Sequence, residues 1–170
     1  MITKKYLKSR LNYNSKTGIF TWKTVMKHSN RRIGDIAGTL DNHGYIKIKI
    51  YRTIYPAHRL AFLYMTGFVP EFVDHKDRNK SNNKWNNLRE ATRSQNAANK
   101  GKNKDCTNRY KGITHFNNTT KKKWTAQIKV NEKHIHIGCF KTQKEAARAY
   151  DKKALELFGK FAKLNFKRNE

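Results

Sequence analysis

The sequence lacks the features of secreted, disulfide-linked or membrane-spanning proteins. Its two cysteines, Cys106 and Cys139, show no C-x-x-C spacing, so neither a zinc knuckle nor a disulfide framework is predicted. No apolar run approaches the length of a transmembrane helix, and the N-terminus lacks the apolar core of a signal peptide. These absences predict a soluble protein in a reducing, intracellular compartment.

Acidic residues are also scarce, with 12 Asp and Glu against 38 Lys and Arg and a net charge of +26. An excess of this size predicts a polyanionic partner, and nucleic acid is favoured. Residues 1–100 hold 20 basic and 6 acidic side chains and residues 101–170 hold 18 and 6, so both parts are expected to contact it. A basic membrane-surface protein is the alternative, but only residues 143–158 approach the amphipathic helix that it needs.

The first half of the chain predicts short elements around a basic strand. We expect a helix over residues 3–11, a turn over 12–18 and a strand over 19–22. Residues 45–51 alternate apolar and basic side chains, which is typical of a half-buried strand, and residues 57–66 predict a helix that Gly67 ends. Four basic residues are candidate DNA contacts, two in the loop over residues 26–36 and two on the solvent face of the strand: Arg31, Arg32, Lys47 and Lys49. An exposed charge pair is an equal alternative for Arg31 and Arg32.

Residues 73–96 combine the groups that phosphodiester hydrolysis needs. A strand over residues 71–75 ends on Asp74-His75, a polar loop follows, and residues 88–99 have helical spacing. His75 is a candidate base because the ordinary pKa of histidine is about 6.5. The side-chain oxygens of Asp74 and Asn96 suit Mg²⁺ or Mn²⁺, and Asn87 is a candidate to orient the His75 ring. Singly, such residues are usually parts of a solvated loop, but their joint spacing favours a metal-dependent phosphodiesterase.

Three motifs occur here in a familiar order: His58-Arg59-Leu60-Ala61, Asp74-His75 and Asn86-Asn87-Leu88-Arg89. In these residues the chain resembles the HNH homing endonucleases, the ββα-metal nucleases. The resemblance implies that Asp74 and Asn96 are metal ligands, His75 is the general base and Asn87 is its orienting partner. Asn96 stands where many members have histidine. The helix of His58 and Arg59 would pack behind the active site, with both residues as candidate phosphate contacts and His58 mainly a packing residue.

The second half of the chain predicts a separate module after a polar linker. We expect residues 1–97 to form the first domain, 98–108 the linker and 109–170 the second domain. Strands are predicted over residues 110–116, 124–130 and 134–140, and a helix begins at a capping box formed by Thr142 and Glu145. A three-stranded antiparallel sheet packed on one helix would leave the other face of the sheet free for DNA.

Five segments of this module, 110–112, 124–126, 137–140, 145–151 and 164–166, resemble the AP2 (ethylene-response-factor-like) DNA-binding domain. The resemblance implies that the sheet lies in the major groove. Carried over by position, the DNA-facing residues would be Lys111, Thr114, Phe116, Gln127, Lys129, His134 and His136. Because the plant regulators place mostly Arg and Trp there, the base preference does not transfer.

Together these patterns predict an α+β protein: an N-terminal β-rich segment leads into a ββα-metal HNH nuclease, and an AP2-like domain follows. The expected function is site-recognising cleavage of double-stranded DNA. One site per chain and no dimerisation heptad predict a monomer that nicks. A DNA-binding transcriptional regulator with an inactive nuclease scaffold is the alternative, and RNA binding is less favoured because the sheet lacks paired aromatics. By resemblance, the gene would belong to a mobile intron or a phage, and a phage product would act in the bacterial cytoplasm.

Overall fold

A computed structural model describes residues 2–24, 30–102, 108–115 and 123–166. It divides the chain into two compact units, Met1–Ala91 and Thr92–Glu170. This division lies before the predicted linker, residues 98–108. The first residues of that predicted linker are hydrogen-bonded to the rest of the second unit. The Ala98 carbonyl accepts hydrogen bonds from the backbone N–H of Lys163, at 3.1 Å, and from Lys111 Nζ, at 2.6 Å. Of the predicted linker, residues 103–107 lie outside the described part of the chain.

The first unit begins with a helix and a hairpin. Helix α1 (Lys4–Arg10) starts at the Thr3 N-cap, whose hydroxyl accepts a hydrogen bond from the Tyr6 N–H. Strand β1 (Leu11–Asn14) then pairs antiparallel with β2 (Ile19–Trp22). The prediction of a turn over residues 12–18 was therefore too wide. Pairing with β2 continues to Asn14. The Asn14 Oδ1 atom then accepts hydrogen bonds from the backbone N–H groups of Lys16 and Thr17 in the turn.

A second sheet follows, with β3 (Thr39–Leu40), β4 (Ile46–Ile50) and β5 (Thr53–Pro56) in the antiparallel order β3-β4-β5. The predicted alternation of β4 is confirmed, because Ile48 and Ile50 are buried and Lys49 is exposed. Helix α2 (Ala57–Thr66) has the predicted bounds and ends at Gly67, whose φ of +90° is favourable for glycine. Its buried face packs with the hairpin and β4 in one apolar core.

Strand β6 (Phe72–His75) pairs antiparallel with β7 (Leu88–Ala91), which follows a short 3₁₀ turn at Trp85–Asn87. The predicted helix over residues 88–99 was wrong in its first part. Leu88 and Ala91 are buried in the strand pair, and helix α3 (Arg93–Asn99) begins only after Thr92, in the second unit. Thr92 and Gln95 form the capping box that sets this start.

The second unit contains a three-stranded antiparallel sheet and a long helix. Strands β8 (Ile113–His115), β9 (Trp124–Val130) and β10 (Lys133–Phe140) lie in the order β10-β9-β8. Helix α4 (Gln143–Phe158) starts at the predicted capping box and packs on the sheet. At Gly112, which precedes β8, φ is +75° and an added Cβ would lie 2.2 Å from the ring of Tyr150 in α4. The packing of α4 against this segment therefore requires glycine at position 112.

The structure is thus of the α+β class, with several small sheets and four helices among the described residues. In the described part of the chain, no helix is both long and apolar enough to cross a bilayer.

Candidate active site

Asp74 and His75 are the last two residues of β6. Both side chains are buried, at 4% and 5% exposure, although one is normally charged and the other polar. Buried polar groups of this kind are retained in folded proteins when they are hydrogen-bonded or paired. The hydrogen-bond and ion-pair partners of Asp74 and His75 therefore determine the chemistry that the two side chains can perform.

His75 is oriented by Asn83. The His75 Nε2 atom lies 3.2 Å from Asn83 Oδ1, and the Asn83 Nδ2 group donates to the Ser81 carbonyl at 3.2 Å. Because that amide nitrogen points to a carbonyl, the amide oxygen faces the imidazole and accepts from an Nε2–H group. In this tautomer Nδ1 is the ring nitrogen with the lone pair, so it is the proton acceptor of the neutral ring.

Asn87 has a different role from the predicted one. Its Nδ2 group donates to Asp77 Oδ1 at 2.9 Å and to the Asn82 carbonyl at 2.8 Å, while its Oδ1 accepts from the Asp77 N–H at 3.0 Å. These bonds close the loop between β6 and β7. The sequence assigned the orientation of His75 to Asn87, whereas the structure gives that contact to Asn83, because the Asn87 amide is occupied within the loop.

Asp74 is paired with Arg89, which stands directly opposite it in β7. Arg89 Nε and Nη2 lie 2.8 and 2.7 Å from Asp74 Oδ2, and the two side chains are 11% and 5% exposed. A carboxylate this deeply buried needs such charge compensation. In the sequence, Arg89 stands out only as part of the motif Asn86-Asn87-Leu88-Arg89. The pairing of Arg89 with Asp74 could not be predicted without the register of β6 and β7, because only that register places the two residues opposite each other.

Two aromatic rings, those of His58 and Tyr45, lie beside His75. The His58 ring centroid lies 5.2 Å from that of His75 and 5.3 Å from that of Tyr45. Burial, with smaller effects from the charges of His75, Arg59 and Lys47, lowers the pKa of His58 to about 3. Among the described residues, no hydrogen-bond partner reaches its buried Nδ1 atom. His58 is thus a neutral packing residue, which argues against the predicted phosphate contact, and Arg59 Nη1 donates to the Glu71 carbonyl at 3.0 Å.

The surroundings of His75 favour its neutral form. Burial lowers the pKa of His75 below its ordinary value, and the nearby Lys80 acts in the same direction. The Asn83 hydrogen bond and the carboxylates of Asp77 and Asp74 oppose the shift without cancelling it. The imidazole is therefore mostly uncharged at neutral pH, as a proton acceptor must be.

The oxygen donors of the site fit a hard divalent cation. The Asp74 carboxylate is held in one orientation by Arg89, and Mg²⁺ is usually bound by one or two carboxylates together with water and substrate phosphates. Among the described residues there is no group of three or more His, Cys, Asp or Glu side chains that could hold a metal ion. The predicted second ligand, Asn96, is a half-buried residue of α3 in the second unit. A cation here would thus rely on few protein ligands.

Residues 55–98 match the family model described as HNH endonuclease. This segment is an HNH endonuclease domain. An uncharacterized HNH endonuclease of Acanthamoeba polyphaga mimivirus, L560, is 35% identical over 121 residues, which cover 70% of this chain and 58% of that protein. The ethylene-responsive transcription factor-like protein At4g13040 of Arabidopsis thaliana is 59% identical over 32 residues, 19% of this chain and 14% of that protein. The chain thus spans less than two thirds of either relative. No solved structure is significantly similar to it.

N-terminal to the HNH domain, the first unit has a basic groove of about 400 Å³. Three of the predicted DNA contacts line it, namely Arg31, Lys47 and Lys49, together with apolar side chains such as Trp22 and Ile54. The Arg31 guanidinium lies over the Trp22 ring, 4.8 Å from its centroid, and Lys47 Nζ lies 3.7 Å from Asp41. The Arg32 side chain is exposed. Two of the cationic side chains, those of Arg31 and Lys47, are therefore in contact with a neighbouring side chain.

C-terminal to the HNH domain, the strand register places five predicted DNA contacts on one sheet face. Thr114 is opposite Thr125, Gln127 is opposite His136, and Lys129 is opposite His134. Ala126 and Ile128 alternate with these residues and are buried, so the five lie on the face away from the core. The predicted DNA contact of Lys111 is not supported by the structure, because its Nζ donates to the Ala98 and Lys100 carbonyls at 2.6 and 2.7 Å. Phe116 lies outside the described residues.

Proposed function

We propose that this chain is a site-recognising DNA endonuclease of the homing type, in which His75 activates water to hydrolyse a phosphodiester. The observation that supports this most is the pairing of a buried, neutral His75, fixed by Asn83, with the Arg89-compensated Asp74 inside an HNH endonuclease domain. Such an arrangement provides a base and an adjacent anionic ligand at one strand end.

The chemistry then follows from the orientation of these side chains. Nδ1 of neutral His75 accepts a proton from water while the oxygen attacks phosphorus, and the bond to the 3′ oxygen breaks in line with the attack. Asn83 keeps Nε2 protonated and so keeps the lone pair on Nδ1. When bound, Mg²⁺ or Mn²⁺ stabilises charge at the phosphate and the leaving oxygen. Asp74 is the proposed ligand whose orientation Arg89 fixes, and Asn96 is the second ligand proposed from the sequence.

Binding of duplex DNA is the role we propose for the two basic surfaces. In the first unit these are Arg31, Lys47 and Lys49 of the groove, with the exposed Arg32 nearby in sequence. In the second unit the outer sheet face is the counterpart of the major-groove surface of an AP2-like domain, which the short similarity to an ethylene-responsive transcription factor-like protein supports. Because the lysines contact phosphate, they supply affinity more than sequence readout.

Nicking by a monomer is the proposed mode of action, because each chain has one proposed hydrolytic site, the one at Asp74 and His75. A break in both strands would then require two visits or two molecules. Similarity to a viral HNH endonuclease agrees with a mobile or phage-encoded gene, in which case the bacterial cytoplasm would be the place of action.

A DNA-binding regulator is the second candidate, favoured by the name of the plant relative. The two functions separate in one experiment, in which the purified chain is incubated with DNA that it binds, with and without Mg²⁺. Metal-dependent strand scission that His75→Ala abolishes supports the endonuclease. Retained binding without scission, by wild type and variant alike, supports the regulator.

A further inference from the structure

The turn of the β1–β2 hairpin packs directly against the backbone of the loop that orients His75. At Gly18, an added Cβ would lie 2.4 Å from the carbonyl carbon of Asn83 and 2.4 Å from the backbone nitrogen of Lys84. The φ of Gly18 is +77°, in the region that favours glycine. No side chain fits at this point without moving either the hairpin or Asn83.

Two hydrogen bonds join the same hairpin to the same loop. The Tyr13 hydroxyl donates to the Asn83 carbonyl at 2.7 Å, and the Trp85 N–H donates to the Ser15 carbonyl at 2.9 Å. Asn83 itself is 2% exposed. Its backbone carbonyl is thus held by the hairpin while its side-chain oxygen holds His75, so one residue links the two.

The hairpin end of this connection is packed against other aromatic rings. The Tyr13 ring stacks on Phe20, with centroids 4.6 Å apart, and meets Tyr64 edge-on at 5.7 Å. Burial raises the pKa of Tyr13 to about 12, so its hydroxyl keeps the proton that it donates to Asn83. On the loop side, Trp85 packs edge-on against Phe62 of α2 at 4.9 Å. Both ends are therefore anchored in the apolar core.

We propose that the β1–β2 hairpin, residues 11–22, is a positioning element for His75, with Tyr13 and Gly18 acting through Asn83. The hairpin lies outside the segment that matches the HNH family, residues 55–98, so that match gives it no role. The inference rests on the proposed function for its catalytic consequence, but its structural part concerns only the tautomer of His75. The two parts are therefore measured separately.

The first test is Tyr13→Phe, which removes the donor to Asn83 and keeps the ring. Its matched control is Tyr64→Phe, which removes a hydroxyl from the same aromatic cluster. We expect ¹⁵N-detected NMR of the histidine rings to show His75 mainly as the Nε2–H tautomer in wild type and control, and as a mixture in Tyr13→Phe. Single-turnover cleavage by Tyr13→Phe should fall about ten- to a hundred-fold, with DNA affinity unchanged.

The second test is Gly18→Ala, with Gly34→Ala as its control. Gly34 has a φ of +91° and nothing within 4 Å of an added Cβ, so its substitution brings similar backbone strain without contact to the loop. We expect the His75 tautomer and the cleavage rate to change only in Gly18→Ala. A wild-type His75 spectrum in folded Tyr13→Phe would overturn the positioning role, whether or not the protein cuts DNA. A wild-type protein that shows the expected tautomer yet cuts no DNA would overturn the proposed function alone.

Discussion

Arg89 Nη2 lies 2.7 Å from Asp74 Oδ2, and the two residues face each other across the β6–β7 pair. The strand pairing therefore places a permanent positive charge against the carboxylate that precedes His75. In a buried setting this charge offsets the cost of burying Asp74, and both guanidinium contacts are made to the same carboxylate oxygen, Oδ2.

Removal of Arg89 should destabilise the protein through the charge that is left unpaired. We expect Arg89→Leu to lower the free energy of unfolding by about 3 kcal/mol, because breaking a buried ion pair leaves an uncompensated buried charge. Lys153→Ala, which breaks an exposed pair with Glu156, should cost less than about 1 kcal/mol. Chemical denaturation measures both, and equal losses in the two variants would contradict the structural role of Arg89.

The cleavage rate should depend on the protonation of His75. In the proposed mechanism the neutral ring is the base, so the rate should rise with pH as the imidazolium loses its proton and level off above the pKa. Because burial lowers the pKa of His75, the midpoint should lie below the ordinary value of about 6.5. Single-turnover rates between pH 4.5 and 8 measure this. A flat profile, or a midpoint well above 6.5, would remove His75 from the role of base.

Asn83 and Asn87 should differ in what their substitution changes. Asn83→Ala removes the acceptor for His75 Nε2, so the NMR signature of the His75 tautomer and the cleavage rate should both change. Asn87→Ala removes three loop hydrogen bonds and should lower stability by about 1–3 kcal/mol, with the His75 tautomer preserved. The opposite pattern, with the tautomer sensitive only to Asn87, would restore the original sequence-based assignment.

Salt dependence should separate the lysines proposed to contact DNA from those that stabilise the fold. Lys49→Gln should weaken binding uniformly and reduce the slope of log affinity against log salt by about one. Lys111→Gln should leave that slope unchanged and lower stability instead, because its ammonium is bound by two backbone carbonyls. Binding titrations at three or more salt concentrations decide this. A reduced slope for Lys111→Gln would return Lys111 to the DNA surface.

Local sequence signals predicted the elements whose pattern and end signals agree. Helix α2 has apolar residues at helical spacing and ends at a glycine, α4 begins at a capping box, and β4 alternates apolar and basic residues. All three were therefore predicted with nearly correct bounds. Leu88 and Ala91 have spacing that fits a helical face, yet they belong to a strand. Pairing with β6 decided between the two, and pairing is not a local property.

The partner of His75 was not predictable for a related reason. The loop between β6 and β7 contains several asparagines, and their side chains are chemically alike. Which of them contacts the imidazole depends on the path of the loop, and that path is fixed by Gly18 and Tyr13, far away in sequence. The sequence could therefore identify His75 as the candidate base, but the residue that contacts its ring could be found only from the structure.

Relaxation of supercoiled plasmid is the most direct measurement of the central claim. The plasmid carries candidate target DNA, and wild type is compared with His75→Ala, each with Mg²⁺ and with EDTA, after binding by both proteins has been verified. We predict that wild type converts the plasmid to open circles only with Mg²⁺, and that His75→Ala does not. Undiminished scission by His75→Ala, or no scission by a wild-type protein that binds its DNA, would contradict the account.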